Sequence, residues 1–260
     1  MSVLDSIIEG VRLDEQARRL SSSELRELIA NAPTPRSAIE KLESSELAII
    51  AEIKRSSPSK GELSEIPEPA SLASTYEKSG ASLISVLTEQ RRFKGSLQDF
   101  MEVRRAVNLP MLRKDFMVSE YLIQESRAYG ADLILLIAAA LDDVQLRDFY
   151  ALSKELGMDV LVEIHDEEEL ERALSVSPEI IGVNSRNLKT LEVDTSSFDR
   201  LIPLIPENVI KVAESGISSV EDILMARKAG AGAVLVGEAL VKSRDPGQTL
   251  REFRESAAGC

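Results

Sequence analysis

Apolar residues in this chain form two kinds of pattern, unbroken runs led by a glycine and helical stripes between them. Three runs read alike: Gly80-Ala81-Ser82-Leu83-Ile84-Ser85-Val86-Leu87, Gly130-Ala131-Asp132-Leu133-Ile134-Leu135-Leu136 and Gly230-Ala231-Gly232-Ala233-Val234-Leu235-Val236-Gly237. Each opens on the residue that ends a helix in a left-handed turn at least cost and continues with no apolar/polar alternation. Such runs suit parallel strands covered on both faces. Helix-like segments precede them, with Tyr76 near Leu72, Leu122 near Ser126, and Ile223 near Leu224 and Ala226.

The three glycines lie 50 and then 100 residues apart. If a strand-plus-helix unit takes about 25 residues, these gaps hold two and four units, and eight units need about 200 residues. The pattern therefore predicts an α/β fold, a (β/α)8 barrel. Its remaining strands are Leu47 to Lys54, Met111 to Lys114, Asp159 to Glu163, Ile180 to Asn184 and Val209 to Ala213.

Residues 1–260 read as a single domain, of which 1–45 form an N-terminal helical extension. Leu4, Ile7, Ile8 and Val11 share one helical face, and Ser21 with Glu24 makes a capping box before Leu25, Leu28 and Ile29. A third helix is expected to start at Thr34-Pro35, with Ala38, Ile39 and Leu42 inward. The alternative fold is an open doubly wound sheet, but no G-x-G-x-x-G element follows the first strand.

Charge narrows the partners. With 31 Lys+Arg against 44 Asp+Glu the net charge is −13, which argues against a nucleic-acid partner. The longest apolar run, Leu133 to Leu141, is too short to span a bilayer, and the opening residues lack the grammar of a secretory signal. A cytoplasmic protein without a membrane partner is expected, a monomer rather than a homo-oligomer. The single cysteine, Cys260, rules out an intrachain disulfide and a Cys-rich zinc site. The single histidine, His165, lacks any G-x-S-x-G partner for a Ser-His-Asp triad. The acids after it, Asp166 to Glu169, read as the favoured charges of a helix N-terminus, and no metal site is expected there.

In a parallel barrel, chemistry gathers at the C-terminal ends of the strands. Here the apolar runs close on Glu52 and Lys54, Lys114, Glu163, Asn184, and Glu214 with Ser215. One charge after a strand is ordinarily the solvated start of a loop; five such closures on one predicted rim are not so easily dismissed. Two lysines and up to three carboxylates in a partly dry mouth can act as proton donors and acceptors. Lys54, Lys114 and Arg186 form a locally cationic set suited to a small anionic substrate. Ser215-Gly216 after the seventh strand and Gly237-Glu238 after the eighth fall where such barrels bind phosphate through backbone N–H groups. The long connection from Arg55 to Pro69 is either a mobile lid or a tolerated surface loop. Phe93 and Phe116, just past the second and third strand ends, could clamp a ring or simply pack.

Several motifs together resemble one family. Ile50-Ala51-Glu52-Ile53-Lys54-Arg55-Ser56-Ser57-Pro58-Ser59-Lys60-Gly61 is similar to the first-strand signature of the indole-3-glycerol phosphate synthases. The resemblance recurs in Leu112-Arg113-Lys114-Asp115-Phe116, Leu161-Val162-Glu163-Ile164-His165-Asp166, Gly182-Val183-Asn184-Ser185-Arg186-Asn187-Leu188, Val212-Ala213-Glu214-Ser215-Gly216-Ile217 and Val236-Gly237-Glu238-Ala239-Leu240. It covers almost the whole chain.

What the resemblance implies is a cofactor-free lyase of tryptophan biosynthesis. It would convert carboxyphenylamino-deoxyribulose 5-phosphate to indole-3-glycerol phosphate with loss of carbon dioxide and water. By resemblance, Lys114 is the general acid at the ribulose carbonyl. Glu163 acts in dehydration, with Lys54 as an alternative proton donor that also contacts the substrate carboxylate. Glu52, Asn184 and Glu214 orient these groups. Ser215, Gly216, Gly237 and Glu238 hold the phosphate; Arg186, Ser57 and Pro58 line the mouth; Phe93 and Phe116 pack on the anthranilate ring. One departure is Glu238, where some members carry Ser, so its side chain should point away from the phosphate. The competing readings are a phosphoribosyl isomerase on the same barrel, which would need a Cys and Asp pair, and a catalytically silent sugar-phosphate binder.

Overall fold

A computed structural model of the chain describes residues 2–188 and 190–258; Cys260 lies outside the described residues. Eight parallel strands close into a barrel: β1 (Ala48–Ile53), β2 (Leu83–Leu87), β3 (Met111–Lys114), β4 (Leu133–Ile137), β5 (Asp159–Ile164), β6 (Ile180–Asn184), β7 (Ile210–Glu214) and β8 (Ala233–Val236). Each strand pairs with its sequence neighbours, and β1 closes the ring on β8 through pairs such as Ile50 with Leu235. The unbroken apolar runs are buried along nearly their whole length, because one face looks into the barrel and the other lies under helices. The glycines that led the runs hold left-handed backbones, with φ of 96° at Gly80, 84° at Gly130 and 102° at Gly230. There each helix stops and the chain turns into the next strand.

Three helices precede β1: α1 (Val3–Arg18), α2 (Ser22–Asn31) and α3 (Ala38–Glu43). Ser2 with Asp5 and Ser21 with Glu24 form complete capping boxes at the first two. The third helix does not start at Thr34-Pro35. Its N-cap is Ser37, whose hydroxyl accepts from the Glu40 N–H. Long-range bonds decide this, because the Arg36 N–H donates to Asp132 Oδ1 at 2.8 Å and the Ala38 N–H to Asp159 Oδ2 at 2.8 Å. Asp132 and Asp159 stand at the N-terminal ends of β4 and β5, so the segment before α3 is drawn out along the barrel floor instead of coiling. Asp132 also accepts from the Met111 N–H at 2.8 Å and pairs with Arg104.

Higher up, α1 is tied to the barrel wall through charge. Arg18 Nε meets Glu125 Oε1 at 2.9 Å, on the helix Glu120–Ala128, and Glu125 Oε2 meets the fully buried Arg113 of β3 at 2.9 Å. Arg113 in turn meets Asp115 at 3.3 Å. The start of α1 reaches the opposite end, where Leu4 and Ile7 look into the mouth described next. Among the described residues no helix is long and apolar enough to cross a membrane.

Candidate active site

All the site residues expected from the sequence line one cavity of about 740 Å³ at the C-terminal end of the barrel: Glu52, Lys54, Ser57, Pro58, Phe93, Lys114, Phe116, Glu163, Asn184, Arg186, Glu214, Ser215, Gly216, Gly237 and Glu238. Strand register brings the polar ones together. Asn184 lies beside Glu214 across β6 and β7, and Lys114 and Glu163 lie near the C-terminal ends of β3 and β5.

At the centre, Lys114 Nζ donates to Glu163 Oε2 at 2.8 Å and to Glu214 Oε2 at 2.7 Å. A second pair joins Lys54 Nζ to Glu52 Oε1 at 2.6 Å. The period of two puts Glu52 and Lys54 on one side of the first strand, as expected. The lysines therefore arrive already compensated. Of the set Lys54, Lys114 and Arg186, the two lysines are paired, because a buried ammonium without a carboxylate beside it would carry the full cost of lost solvation, whereas Arg186 donates to Ser59 Oγ and the Leu191 carbonyl.

Burial opposes charge on Lys114, but Glu163, Glu214 and Glu52 outweigh it and raise its pKa, so the ammonium persists. The two carboxyls are driven apart. Burial pushes Glu163 up, and the charges of Lys114 and His165, with hydrogen bonds from Lys114 and Asn184, bring it below the ordinary range. Glu214 is pushed up to about 7 by burial, with the charges of Glu163 and Glu52 adding to it. Two carboxyls sharing one lysine cannot both ionise freely, so the cluster keeps a proton donor and a proton acceptor side by side.

Close packing enforces this geometry. A Cβ on Gly182 of β6 would overlap Glu214 Oε1, and one on Gly237 would come within 2.5 Å of Glu52 Oε1. Both glycines make room for a carboxylate. Ser215 and Gly216 hold consecutive left-handed conformations, φ 66° and 76°, which turn the chain sharply off β7 toward the helix Val220–Ala229. For a non-glycine such as Ser215 that backbone is uncommon and marks a turn held by its surroundings. Gly237 is the N-cap of the short helix Glu238–Lys242. The Glu238 carboxylate is taken by Lys242 at 2.6 Å, so this acidic side chain has a partner of its own.

The apolar wall is built locally. The buried Glu89 accepts N–H bonds from Arg91, Arg92 and Phe93, at 3.0, 2.7 and 2.9 Å, and so shapes the loop that presents Phe93. Asp115 accepts from the Phe116 N–H at 2.8 Å and from the Thr88 hydroxyl at 2.5 Å. The two rings stand 6.2 Å apart, tilted by 40°. The segment after β1 is folded back on itself, Ser56–Ser57 pairing with Gly61–Glu62, and Arg186 donates to Ser59 Oγ at 2.8 Å. Arg55 roots its base through Asp99 at 2.5 Å.

Sequence reasoning missed three contributors. Val3, Leu4 and Ile7 close the mouth from α1, and Leu188, Leu191 and Val193 wall it from the loop after β6. The apolar face of α1 was legible, but nothing local says what it covers. The third is His165, set aside with the acidic run that follows it. Asp166 is indeed an N-cap, accepting from the Glu169 N–H at 2.9 Å, yet the imidazole turns inward against Glu163. Its spacing of two from Glu163 at a strand end was the available signal.

Fold and site together define a (β/α)8-barrel protein whose paired lysines and glutamates gather at one rim. The family model for indole-3-glycerol phosphate synthase matches residues 4–253. A protein named indole-3-glycerol phosphate synthase in Paenarthrobacter aurescens is 56% identical over 265 residues, covering 99% of this chain and 97% of its own. One of the same name in Micrococcus luteus is 53% identical over 264 residues, covering 99% and 98%. A solved thiamine phosphate pyrophosphorylase from Pyrococcus furiosus, at 15% identity, covers 85% of this chain and 98% of its own with a TM-score of 0.64, a likeness of fold alone. The chain belongs to the indole-3-glycerol phosphate synthase family, enzymes of tryptophan biosynthesis that carry out a ring-closing decarboxylation, a carboxy-lyase reaction.

Proposed function

We propose that the residues of this rim convert carboxyphenylamino-deoxyribulose 5-phosphate to indole-3-glycerol phosphate, with Lys114 as the general acid. The observation that carries the reading is the Lys114 ammonium held between Glu163 and Glu214 at 2.8 and 2.7 Å in a cavity lined by the rings of Phe93 and Phe116 among others. As the anthranilate ring carbon attacks the ribulose carbonyl, the carbonyl π electrons move onto oxygen. Lys114 stabilises that charge and protonates it. Ring closure leaves a cationic iminium, which accepts the electrons of the breaking carboxylate bond, so carbon dioxide departs without a separate cofactor. That departure restores the benzene ring, and loss of water, as hydroxyl and a proton, then completes the aromatic pyrrole. Glu163 acts here as base or acid, and Lys54 is the alternative donor that also meets the substrate carboxylate.

Glu52, Asn184 and Glu214 orient these groups. Ser215, Gly216, Gly237 and Glu238 hold the phosphate through main-chain N–H groups at the two turns after β7 and β8. Phe93 and Phe116 pack on the anthranilate ring, and Arg186, Ser57 and Pro58 line the entrance. The reading treats the chain as one barrel unit with the N-terminal helices appended, a cytoplasmic monomer acting on a small anionic substrate. The net charge of −13 supports the exclusion of nucleic acid.

The chain has no tryptophan, so an indole product emits against a background of only four tyrosines. Purified protein mixed with the substrate in EDTA should show rising indole fluorescence, reduced about 10² to 10⁴-fold in Lys114→Ala. Full turnover in Lys114→Ala would sink this mechanism. A flat trace with intact substrate binding would favour a silent binder.

A further inference from the structure

His165 stands one residue beyond β5, with the same strand parity as Glu163, and is buried apart from a small edge. Its ring is clamped from one side. Glu169 Oε2 lies 2.9 Å from His165 Nδ1 and accepts the His165 main-chain N–H at the same distance. A carboxylate at Nδ1 fixes the hydrogen on that nitrogen, which leaves Nε2 to face the site. Nε2 lies 3.5 Å from Glu163 Oε1, within ion-pair range. Both atoms are buried, and among the described residues neither has a hydrogen-bond partner.

A buried carboxylate oxygen opposite a buried imidazole nitrogen is a costly arrangement if neither carries a proton. One proton shared between them satisfies both. We propose that His165, oriented by Glu169, is a positioning residue for the reaction, holding Glu163 from behind through a proton shared between His165 Nε2 and Glu163 Oε1 while Lys114 holds the other oxygen. The proposal deepens the reading above and rests on it for its catalytic consequence. The proton balance is simple. With the proton on nitrogen, the imidazolium donates to an ionised Glu163; with the proton on oxygen, a neutral Glu163 donates to the imidazole.

The charged groups about the ring are Glu163 on its own strand, Glu169 on the following helix and Glu214 on β7, with Lys114 beyond the far oxygen of Glu163. Burial disfavours the charged ring, but the Glu169 bond and the three carboxylates outweigh it and raise the pKa. His165 raised and Glu163 lowered both favour the shared proton on nitrogen over oxygen, which leaves Glu163 ionised as an acceptor.

Because the chain has a single histidine, tag-free protein labelled at histidine gives one imidazole signal that needs no assignment. Its titration should show a pKa above the ordinary 6.5, hydrogen on Nδ1, and a fall in pKa in both Glu163→Gln and Glu169→Gln. A ring that titrates below 6.5, or ignores Glu163→Gln, would overturn the proposal whatever the activity. In turnover, His165→Gln should lower kcat at least tenfold with KM changed less than twofold, and should abolish one limb of the kcat against pH profile. Glu169→Gln should shift that limb and lose less. If wild type turns over and His165→Gln keeps its kcat and profile, the positioning role is wrong. If wild type does not turn over, the functional reading fails, and the titration alone decides whether the two side chains share a proton.

Discussion

Gly182→Ala is the smallest change that tests how the central cluster is built. Gly182 lies in a strand with ordinary backbone angles, so alanine meets no conformational penalty there. Its methyl group, however, lands on Glu214 Oε1 and sits 3.1 Å from Glu214 Cδ and 3.2 Å from Leu161 Cδ1. A buried side chain 1% exposed has no open space to retreat into, so the carboxylate must rotate off Lys114. Overpacking of this kind costs about 1–3 kcal/mol. Loosening a buried ion pair adds to that, short of the ~3–5 kcal/mol for removing one partner outright, because Lys114 keeps Glu163. A loss of about 3 kcal/mol is the combined expectation. A displacement of ~1 Å at a catalytic group costs about 100-fold in turnover. Urea unfolding followed by circular dichroism, with indole emission for kcat, measures both. The double variant Gly182→Ala/Glu214→Ala separates the causes. Removing the glutamate frees the space, so Gly182→Ala should cost far less in a Glu214→Ala background than in wild type, while the double variant stays as inactive. Wild-type stability and turnover in Gly182→Ala would refute the packing argument.

The carboxyl of Glu214 also predicts a pH dependence. Its pKa in the fold is about 7 against 4.5 in a free chain, so the fold favours its proton. That contribution is complete below about pH 4.5 and is lost as pH rises through 7; the urea midpoint of wild type should fall relative to Glu214→Gln between about pH 5 and 8, and parallel curves would contradict it. At the barrel floor, Asp132→Ala leaves the Arg36 and Met111 N–H groups and Arg104 without their acceptor and should cost about 2–4 kcal/mol, read as a lower melting temperature with kcat preserved in the folded fraction. Shortening the segment Ser57 to Glu62, which meets Arg186 through Ser59, should reduce turnover far more than stability; unchanged activity would rule out a lid role.

The strand count, the helix stops at Gly80, Gly130 and Gly230, and the rim positions of Glu52, Lys114, Glu163, Asn184 and Glu214 were all legible along the chain. These are local properties, since burial on both faces leaves an unbroken apolar run and a left-handed stop calls for glycine. The motif at each strand end also carried the family. What the chain does not display is pairing across distance. That Lys114 is shared by Glu163 and Glu214, 49 and 100 residues away, follows only from barrel closure and register. The start of α3 moved from Thr34-Pro35 to Ser37 because Asp132 and Asp159 claim the Arg36 and Ala38 amides. Along the chain His165 reads with the acids that follow it, and only tertiary packing turns its ring toward Glu163. Periodicity and turn chemistry are written residue by residue. Which charges end up together in a dry mouth is decided by closure of the sheet, where the cost of burying each one selects its partner.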